Sequence, residues 1–264
     1  MSDKHFALTN VKFTDGGAYF NGVNAFGVTP SIDLTAYNKV CVLADIKILT
    51  YGLTAVQTIF ELSTNAASAV SRCFWSVIDG SSAGDPLNMI VRADGGVNQA
   101  FYLPTLTNLV DKNFHTMAHL YDFSVAINEV NLNFDGQPMN PSSRPVNSNN
   151  TGNFANQPLY IGSRAGTSLF SNIAVKNMAL IAGKIPFGEE LADYQAWKTD
   201  TRRSNSVSFN GVMSIPLDRY VPASQYPKLV INDSDGTGLV VADLSHGPDK
   251  NTIAEVRRME KFNN

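Results

Sequence analysis

Apolar and polar positions alternate most strictly at residues 129–135, EVNLNFD. A period of two predicts a β-strand with one dry face and one wet face. Residues 115–121, HTMAHLY, are predicted to form its partner strand. Asp135 and Gly136 predict a turn, because glycine tolerates a positive φ and aspartate bonds nearby amides. A sheet with one wet face is not an all-parallel sheet covered by helices, so the pattern predicts antiparallel layers.

Similar patterns predict strands along most of the chain. The strongest is residues 40–49, VCVLADIKIL, in which every second residue from Val40 to Ile48 is apolar. The other predicted strands are residues 7–13, 18–22, 56–63, 72–78, 87–92, 99–103, 159–162, 169–181, 207–215, 229–231 and 239–244. Helical spacing occurs at residues 189–198 and 249–262. Many short strands and few helices predict an all-β fold, a two-sheet antiparallel jelly-roll sandwich with one or two short helices.

The texture of the sequence changes near Asn205. We therefore predict a jelly roll at residues 1–204 and a small C-terminal β-rich extension with a terminal helix at residues 205–264. Residues 140–157 are rich in Asn, Ser, Pro and Gly. A loop of that length is a binding loop, a packed Ω-loop or a mobile surface loop.

Composition narrows the partners. The chain has 264 residues, of which 44% are hydrophobic and 16% charged, and a formal net charge of −3. Its basic residues are scattered, which argues against nucleic acid or an anionic membrane as a partner. The sequence has no apolar run of ~20 residues and no apolar core of a signal peptide at its start. We therefore expect the chain to be made and folded in the cytosol. Cys41 and Cys73 lie in strand-like runs and are predicted to be buried free thiols.

Several short segments, in this order, resemble a known family. They are VKF at residues 11–13, YFNG at 19–22, the strand at 42–48, MAHLY at 117–121, LNFDG at 132–136, LYIG at 159–162, FSNIAV at 170–175, AL at 179–180 and EE at 189–190. Together they resemble the laminin-G-like, or concanavalin A-like, jelly roll over residues 7–199. The resemblance implies a concave sheet and a rim of loops that bind glycans or protein surfaces. The family also includes glycan hydrolases and members that bind calcium through loop carboxylates. The Gly and the acidic residue that the family usually has in its penultimate strand are replaced around residues 171–173, which argues against a calcium site of that kind.

Aromatic and amide side chains are the candidate sugar ligands, because an aromatic ring can stack on the C–H face of a pyranose. The candidate ligand-binding residues are Trp75, Tyr102, Tyr121, Asn131, Asn133, Asn149, Asn150 and Phe154. The aromatic members could instead be core residues. Phe154 stands out because its neighbours are polar.

Two groups of residues invite a metal interpretation. Residues 233–238, DSDGTG, resemble the first half of a calcium loop, so the candidate ligands are Asp233, Asp235 and Asp243. Leu244 occupies the twelfth position, where a bidentate carboxylate is needed, and a plain turn is the alternative. His115 and His119 are four apart on a strand and are predicted to be ordinary surface or half-buried histidines. No other cofactor is expected.

No catalytic constellation emerges from the sequence. Glu129 and Asp135 lie ~20 Å apart along one strand, whereas glycoside hydrolysis needs carboxylates ~5–10 Å apart. A hydrolase would therefore need a pair of carboxylates drawn from different strands. We therefore expect a non-enzymatic structural or interaction protein of a bacteriophage virion, a capsid decoration, fibre or tail component on the virion surface. Its expected partners are capsid or tail proteins of the same virion, further copies of itself, and host glycans. The alternatives are a glucanase-type glycoside hydrolase and a free lectin.

Overall fold

The fold is built from antiparallel β-strands. The structure is a computed structural model, and it describes residues 6–14, 17–50, 56–63, 72–78, 87–92, 99–102, 111–125, 130–140, 143–146, 151–183, 185, 207–209, 212–214 and 238–243. The strands are β1 (Ala7–Thr9), β2 (Lys12–Thr14), β3 (Gly17–Asn21), β4 (Phe26–Val28), β5 (Ile32–Asp33), β6 (Lys39–Ile48), β7 (Gln57–Leu62), β8 (Cys73–Ile78), β9 (Leu87–Arg92), β10 (Gln99–Tyr102), β11 (His115–Asp122), β12 (Val130–Phe134), β13 (Gln137–Met139), β14 (Ser143–Val146), β15 (Asn156–Gln157), β16 (Leu159–Ile161), β17 (Asn172–Ala182), β18 (Val207–Phe209), β19 (Val212–Ser214) and β20 (Gly238–Asp243). Among these residues, no helix has the length and hydrophobicity needed to cross a membrane.

Two large sheets organise the strands. Sheet I has the order β1-β4-β16-β7-β8-β9-β10-β14, and sheet II has the order β13-β12-β11-β6-β17-β3-β2, with β20 paired to β17. The two remaining pairs, β15 with β5 and β18 with β19, are short. The predicted all-β antiparallel sandwich is confirmed.

Alternation along the strands decides which side chains enter the core. In β6 the alternate residues from Val40 to Ile48 are buried in one cluster, as the sequence predicts. In β12 Val130 and Leu132 join the same cluster, and the alternating Asn131 and Asn133 belong to the opposite face. Each fully buried aliphatic side chain contributes ~1.5–3 kcal/mol, so this periodicity fixes which face of each sheet is inside.

Aromatic rings join the two sheets at the centre of the core. Phe74 of sheet I stacks on Tyr121 of sheet II, with ring centroids 4.5 Å apart. Phe154 meets Phe74 edge-on at 5.8 Å and stacks on Phe123 at 4.5 Å. Buried aromatic pairs of this geometry add to the free energy of folding beyond their area.

The described part of the polar loop is packed rather than mobile. In residues 151–157, the Phe154 N–H donates to the Tyr37 carbonyl at 2.8 Å. The Asn153 amide donates to the Thr35 carbonyl at 2.7 Å. These bonds hold the Phe154 ring in the core, so for this part of the loop the mobile-surface interpretation is wrong. Asn156 and Gln157 also form β15.

Three predicted boundaries need correction. The strand predicted at residues 7–13 is two strands, because Asn10 adopts φ 54° between them. The strand predicted at residues 207–215 is the hairpin of β18 and β19. The Asp135–Gly136 turn, with φ 48° and 83°, leads from β12 into β13, a strand that its polar sequence does not announce. Strand β11 does pair with β12, as predicted.

The C-terminal extension supplies a strand to the sandwich. Strand β20 pairs with the second half of β17, from Asn177 to Ala182. The predicted helices at residues 189–198 and 249–262, and the predicted strand at 229–231, lie outside the described residues. Cys41 and Cys73 are buried and form no disulfide, in agreement with the sequence.

Candidate ligand-binding site

The register of sheet I aligns four side chains on its outer face. Tyr160 of β16 pairs with Glu61 of β7, Glu61 pairs with Trp75 of β8, and Trp75 pairs with Ile90 of β9. Their strand neighbours, such as Phe74, point the other way into the core. Together with Arg92 and Arg164, whose side chains approach the Trp75 ring, these four residues form what we name the Trp75 patch.

A bulge in β7 sets the orientation of Glu61. The register between β7 and β8 shifts between Thr58 and Phe60. As a result Ile59 and Phe60 both lie in the core, although they are consecutive. The strict alternation then resumes and places Glu61 outward. Bulges of this kind re-aim side chains next to functional sites.

The turn after β16 presents Arg164 to sheet I. Within this turn the Arg164 N–H donates to the Ser168 carbonyl at 2.8 Å. The Gly166 N–H donates to the Ser163 hydroxyl at 3.0 Å. Ala165 adopts φ 49°, a left-handed conformation that is uncommon outside glycine. These hydrogen bonds within the turn fix the backbone position from which the Arg164 side chain extends.

Glu61 is a buried carboxyl with two neighbours from that turn. Its side chain is 2% exposed, and Oε1 lies 3.6 Å from Nε of Arg164. Its Oε2 accepts a hydrogen bond from the Ala165 N–H at 3.1 Å. Burial raises the pKa of Glu61 to about 7, and Arg164, the Ala165 N–H and Ser63 oppose that rise. Near neutral pH the group therefore exists in both its protonated and ionised forms.

Two arginines approach the Trp75 ring. The guanidinium carbon of Arg164 is 5.7 Å from the Trp75 ring centroid, and that of Arg92 is 5.9 Å away. Both distances fall at the outer limit of a cation–π contact, ~6 Å. Trp75 is 9% exposed and the Arg164 side chain 24% exposed. The patch thus combines a largely buried indole ring with two charged groups that carry several N–H donors.

Tyr160 of the patch and the neighbouring Cys73 stay protonated at neutral pH. Burial, and then the charge of Glu61, raise the pKa of Tyr160. Burial raises the pKa of Cys73, which packs beside Trp75, to about 12. A thiol of this kind is a poor nucleophile, because the reactive form is the thiolate.

Of the aromatic candidates from the sequence, Trp75 lies on the face of sheet I turned away from the central core, where it is 9% exposed and packs with Cys73 and Val77. Tyr121 and Phe154 lie fully buried in the core, so their proposed role as sugar platforms is corrected: neither ring face is open to a ligand. Asn131 is half-buried and Asn133 is buried on the outer face of sheet II, on the other side of the sandwich from Trp75. The structure therefore does not bring the asparagines of β12 together with Trp75.

Other candidates fall partly or wholly outside the described residues. Tyr102 pairs with Asn88 in the register of β10 and β9, and Asp243 pairs with Asn177. For both candidates the side chain is outside the description. Asn149, Asn150, Asp233 and Asp235 are outside it altogether. Within the part of the chain that the structure describes, no group of three or more His, Cys, Asp or Glu side chains could hold a metal ion.

The two histidines of β11 have opposite environments. His115 is half-buried between two carboxylates, with Nδ1 2.7 Å from Asp135 and Nε2 3.2 Å from Asp111. Burial lowers the pKa of His115, but the bonds to the two aspartates outweigh it and the pKa is raised. His119 is 0% exposed and meets the Phe60 ring edge-on at 4.7 Å, so the prediction of a surface or half-buried residue is wrong for it. Its position on the strand, two residues from Met117, places it on the core face.

Comparisons with known proteins bear on the fold. No protein-family model matches the sequence, and no curated protein matches it either. The receptor-binding domain of botulinum neurotoxin mosaic serotype C/D is similar in structure, with a TM-score of 0.52 and 10% identity over 73% of this chain and 46% of that one. The HCR/D W1238A mutant is similar with a TM-score of 0.53 and 10% sequence identity, over 94% of this chain and 58% of that one. The CBM40 of the Ruminococcus gnavus IT-sialidase has a TM-score of 0.44 and 15% sequence identity, over 71% of this chain and 97% of that one.

The two similarities with a TM-score above 0.5 establish a shared fold. The chain spans about half the length of the neurotoxin chains that it resembles. At 10% identity the two neurotoxin structures support the β-sandwich and assign no residue a role.

Glu61, Arg92 and Arg164 did not emerge from the sequence as site residues. One signal was present: Glu61 is the charged residue within an otherwise apolar or neutral strand, VQTIFELS. Its hydrogen bond from Ala165 joins positions 104 residues apart, and such a pairing follows from the sheet order rather than from any local pattern.

Proposed function

We propose that this chain is a non-enzymatic glycan-binding module and that the saccharide binds at the Trp75 patch. The observation that carries the proposal is the position of Trp75 on the outer face of sheet I, with the guanidinium carbons of Arg92 and Arg164 at 5.9 and 5.7 Å from its ring centroid. The fold is shared with a domain described as the receptor-binding domain of botulinum neurotoxin, which is consistent with a recognition role.

The chemistry of the patch suits a sugar. A pyranose combines an apolar C–H face with a rim of hydroxyl groups, and it needs both an apolar surface and directed donors. The indole ring supplies the first, and the guanidinium groups supply several N–H donors in a fixed plane. Binding sites commonly combine aromatic walls with a few polar groups in this way.

The number and positions of the carboxyl groups favour binding over hydrolysis. Retaining and inverting glycosidases use a pair of carboxyl groups ~5–10 Å apart. Among the described residues of the Trp75 patch there is one carboxyl group, Glu61, and it faces Arg164. Asp135, which the sequence offered to the hydrolase alternative, accepts a hydrogen bond from the Thr116 N–H and contacts His115 at the end of a hairpin in sheet II.

A glycan array of the full chain tests the proposal, with hits confirmed by titration against three variants. Trp75→Ala is expected to weaken binding about tenfold or more, as truncating a central tryptophan usually costs ~2 kcal/mol or more. Trp75→Phe keeps an aromatic ring and is expected to retain part of the affinity. Asn131→Ala, on the outer face of sheet II, is the matched control and is expected to bind as the wild type does.

Two results would contradict this assignment. An array without hits would refute glycan binding, and equal affinities for wild type and Trp75→Ala would move the site away from the patch. Release of reducing sugar from a bound glycan, abolished by Glu61→Gln, would instead favour the hydrolase alternative.

The same proposal places the module on the surface of a virion, with capsid or tail proteins and further copies of the chain as partners. Its support is the sequence: asparagine- and serine-rich loops joined to a C-terminal extension beyond residue 204. Mass spectrometry of gradient-purified particles from an infected culture that expresses the chain tests this part. Recovery of the chain at stoichiometric copy number with the capsid or tail proteins is expected, and its absence from the particles would refute it.

A further inference from the structure

We propose that Glu61 gates the Trp75 patch for acidic sugars: Arg164 takes the carboxylate or sulfate of the ligand when Glu61 is neutral and is held by Glu61 when that residue is ionised. This inference rests on the proposed glycan-binding function and adds a ligand class and a control to it.

The contact between the two residues leaves room for a competing anion. Nε of Arg164 lies 3.6 Å from Oε1 of Glu61, outside the usual hydrogen-bond range of ~2.7–3.2 Å. That Nε atom is buried and has no hydrogen-bond partner among the described residues. A buried donor without a hydrogen-bond partner is unfavourable, so this contact holds Arg164 less firmly than a hydrogen-bonded ion pair would.

The turn that carries Arg164 binds the same carboxyl group. The Ala165 N–H donates to Oε2 of Glu61 at 3.1 Å, so the carboxyl stays next to the guanidinium whether or not it is charged. Protonation therefore changes the charge that Arg164 faces without requiring the turn to move. The Arg164 side chain is 24% exposed, so a ligand can reach the side chain, although its Nε is buried.

The groups that face Glu61 come from four elements. Arg164 belongs to the turn after β16, Tyr160 to β16 and Cys73 to β8, while Ser63 follows Glu61 on its own segment and donates a hydrogen bond to it. Arg92 of β9 lies across the Trp75 ring. Arginine stays charged, and the raised pKa values of Tyr160 and Cys73 keep both neutral below pH 9. Of these groups, Glu61 is the one that titrates between pH 6 and 8.

The size of the effect follows from the fraction of neutral Glu61. Burial holds the pKa of Glu61 at about 7. The neutral fraction then falls from about 0.9 at pH 6 to about 0.1 at pH 8, and the apparent affinity for an acidic ligand falls by about tenfold. A neutral sugar does not compete with the carboxylate for Arg164, so its affinity stays nearly constant across this range.

A matched pair of probes tests the gate: one oligosaccharide ending in glucuronic acid and the same oligosaccharide ending in glucose, which differ only by a carboxylate. Titrations with the full chain at pH 6, 7 and 8 are expected to show about tenfold tighter binding of the acidic probe at pH 6 than at pH 8. Glu61→Gln is expected to bind the acidic probe with the same affinity at all three pH values, equal to the wild-type affinity at pH 6. Arg164→Gln is expected to remove the preference for the acidic probe.

The outcomes separate this inference from the function on which it rests. If the array yields hits that depend on Trp75, but the acidic probe does not bind or shows the same pH profile as the neutral one, the gate is refuted and glycan binding stands. If the array yields no hits, both fail. The wild-type profile decides the matter even if Glu61→Gln does not fold.

Discussion

Acid should destabilise this protein through one buried imidazole. His119 is 0% exposed and packs against the edge of the Phe60 ring. Neither ring nitrogen has a hydrogen-bond partner among the described residues. Burial lowers the pKa of His119 from 6.5 to about 3, because the core has nothing to solvate an imidazolium ion. The folded protein therefore excludes a proton that the unfolded chain accepts.

The magnitude follows from the two pKa values. Between pH 6.5 and about 3 the unfolded chain binds more protons, so the free energy of unfolding falls as pH is lowered. Each pH unit in this window costs ~1.4 kcal/mol, which gives a loss of about 3 kcal/mol at pH 4.5 and about 4 kcal/mol at pH 3 relative to pH 8. Such a loss is a large part of the ~5–15 kcal/mol that stabilises a typical domain.

Urea unfolding of the wild type and of His119→Leu at pH 8, 6 and 4.5 measures this effect. Other groups titrate alike in both proteins, so the difference between their unfolding free energies isolates His119. We expect His119→Leu to gain about 3 kcal/mol relative to the wild type between pH 8 and 4.5. Met117→Leu, on the same face of β11 and without a titratable group, is the matched control. Parallel pH profiles for wild type and His119→Leu would refute the reasoning.

Two further predictions concern stability. The raised pKa of His115 gives stability that is complete below pH 6.5 and is lost as pH rises through the folded value. Asp135→Asn should therefore flatten the pH dependence of the free energy of unfolding in urea above pH 6.5, and an unchanged slope would contradict the pairing. Gly162→Ala should cost more than ~1 kcal/mol, because Gly162 has φ 80° and a Cβ there would collide with the Phe20 ring. Gly152→Ala, at φ 112° with open space, carries the backbone strain alone, and equal losses in thermal melts of the two variants would contradict the packing argument.

The strands that build the core were predictable because their signal is local. Residues 40–49 and 129–135 show a period of two, and the structure places their apolar members in one core. His119 shows the limit of this reasoning. Strand β11 buries residues on both of its faces, so polarity alone misassigns a histidine that the register puts in the core.

The candidate site was less predictable, for a physical reason. Phe154 sits among polar neighbours in the sequence, yet backbone bonds to the distant segment around Tyr37 draw it into the core. Trp75 could be identified as a candidate because its residue type alone suggests a surface on which a sugar stacks. Its partners Glu61 and Arg164 meet only because β16 pairs with β7 in sheet I, an adjacency that follows from the topology.

The most direct test of a sugar site on sheet I is a crystal structure of the full chain bound to the strongest glycan from the array. The account predicts a pyranose ring against the Trp75 indole, with a ligand oxygen within hydrogen-bond distance of the Arg164 guanidinium. A glycan bound on the outer face of sheet II, near Asn131 and Asn133, would contradict it.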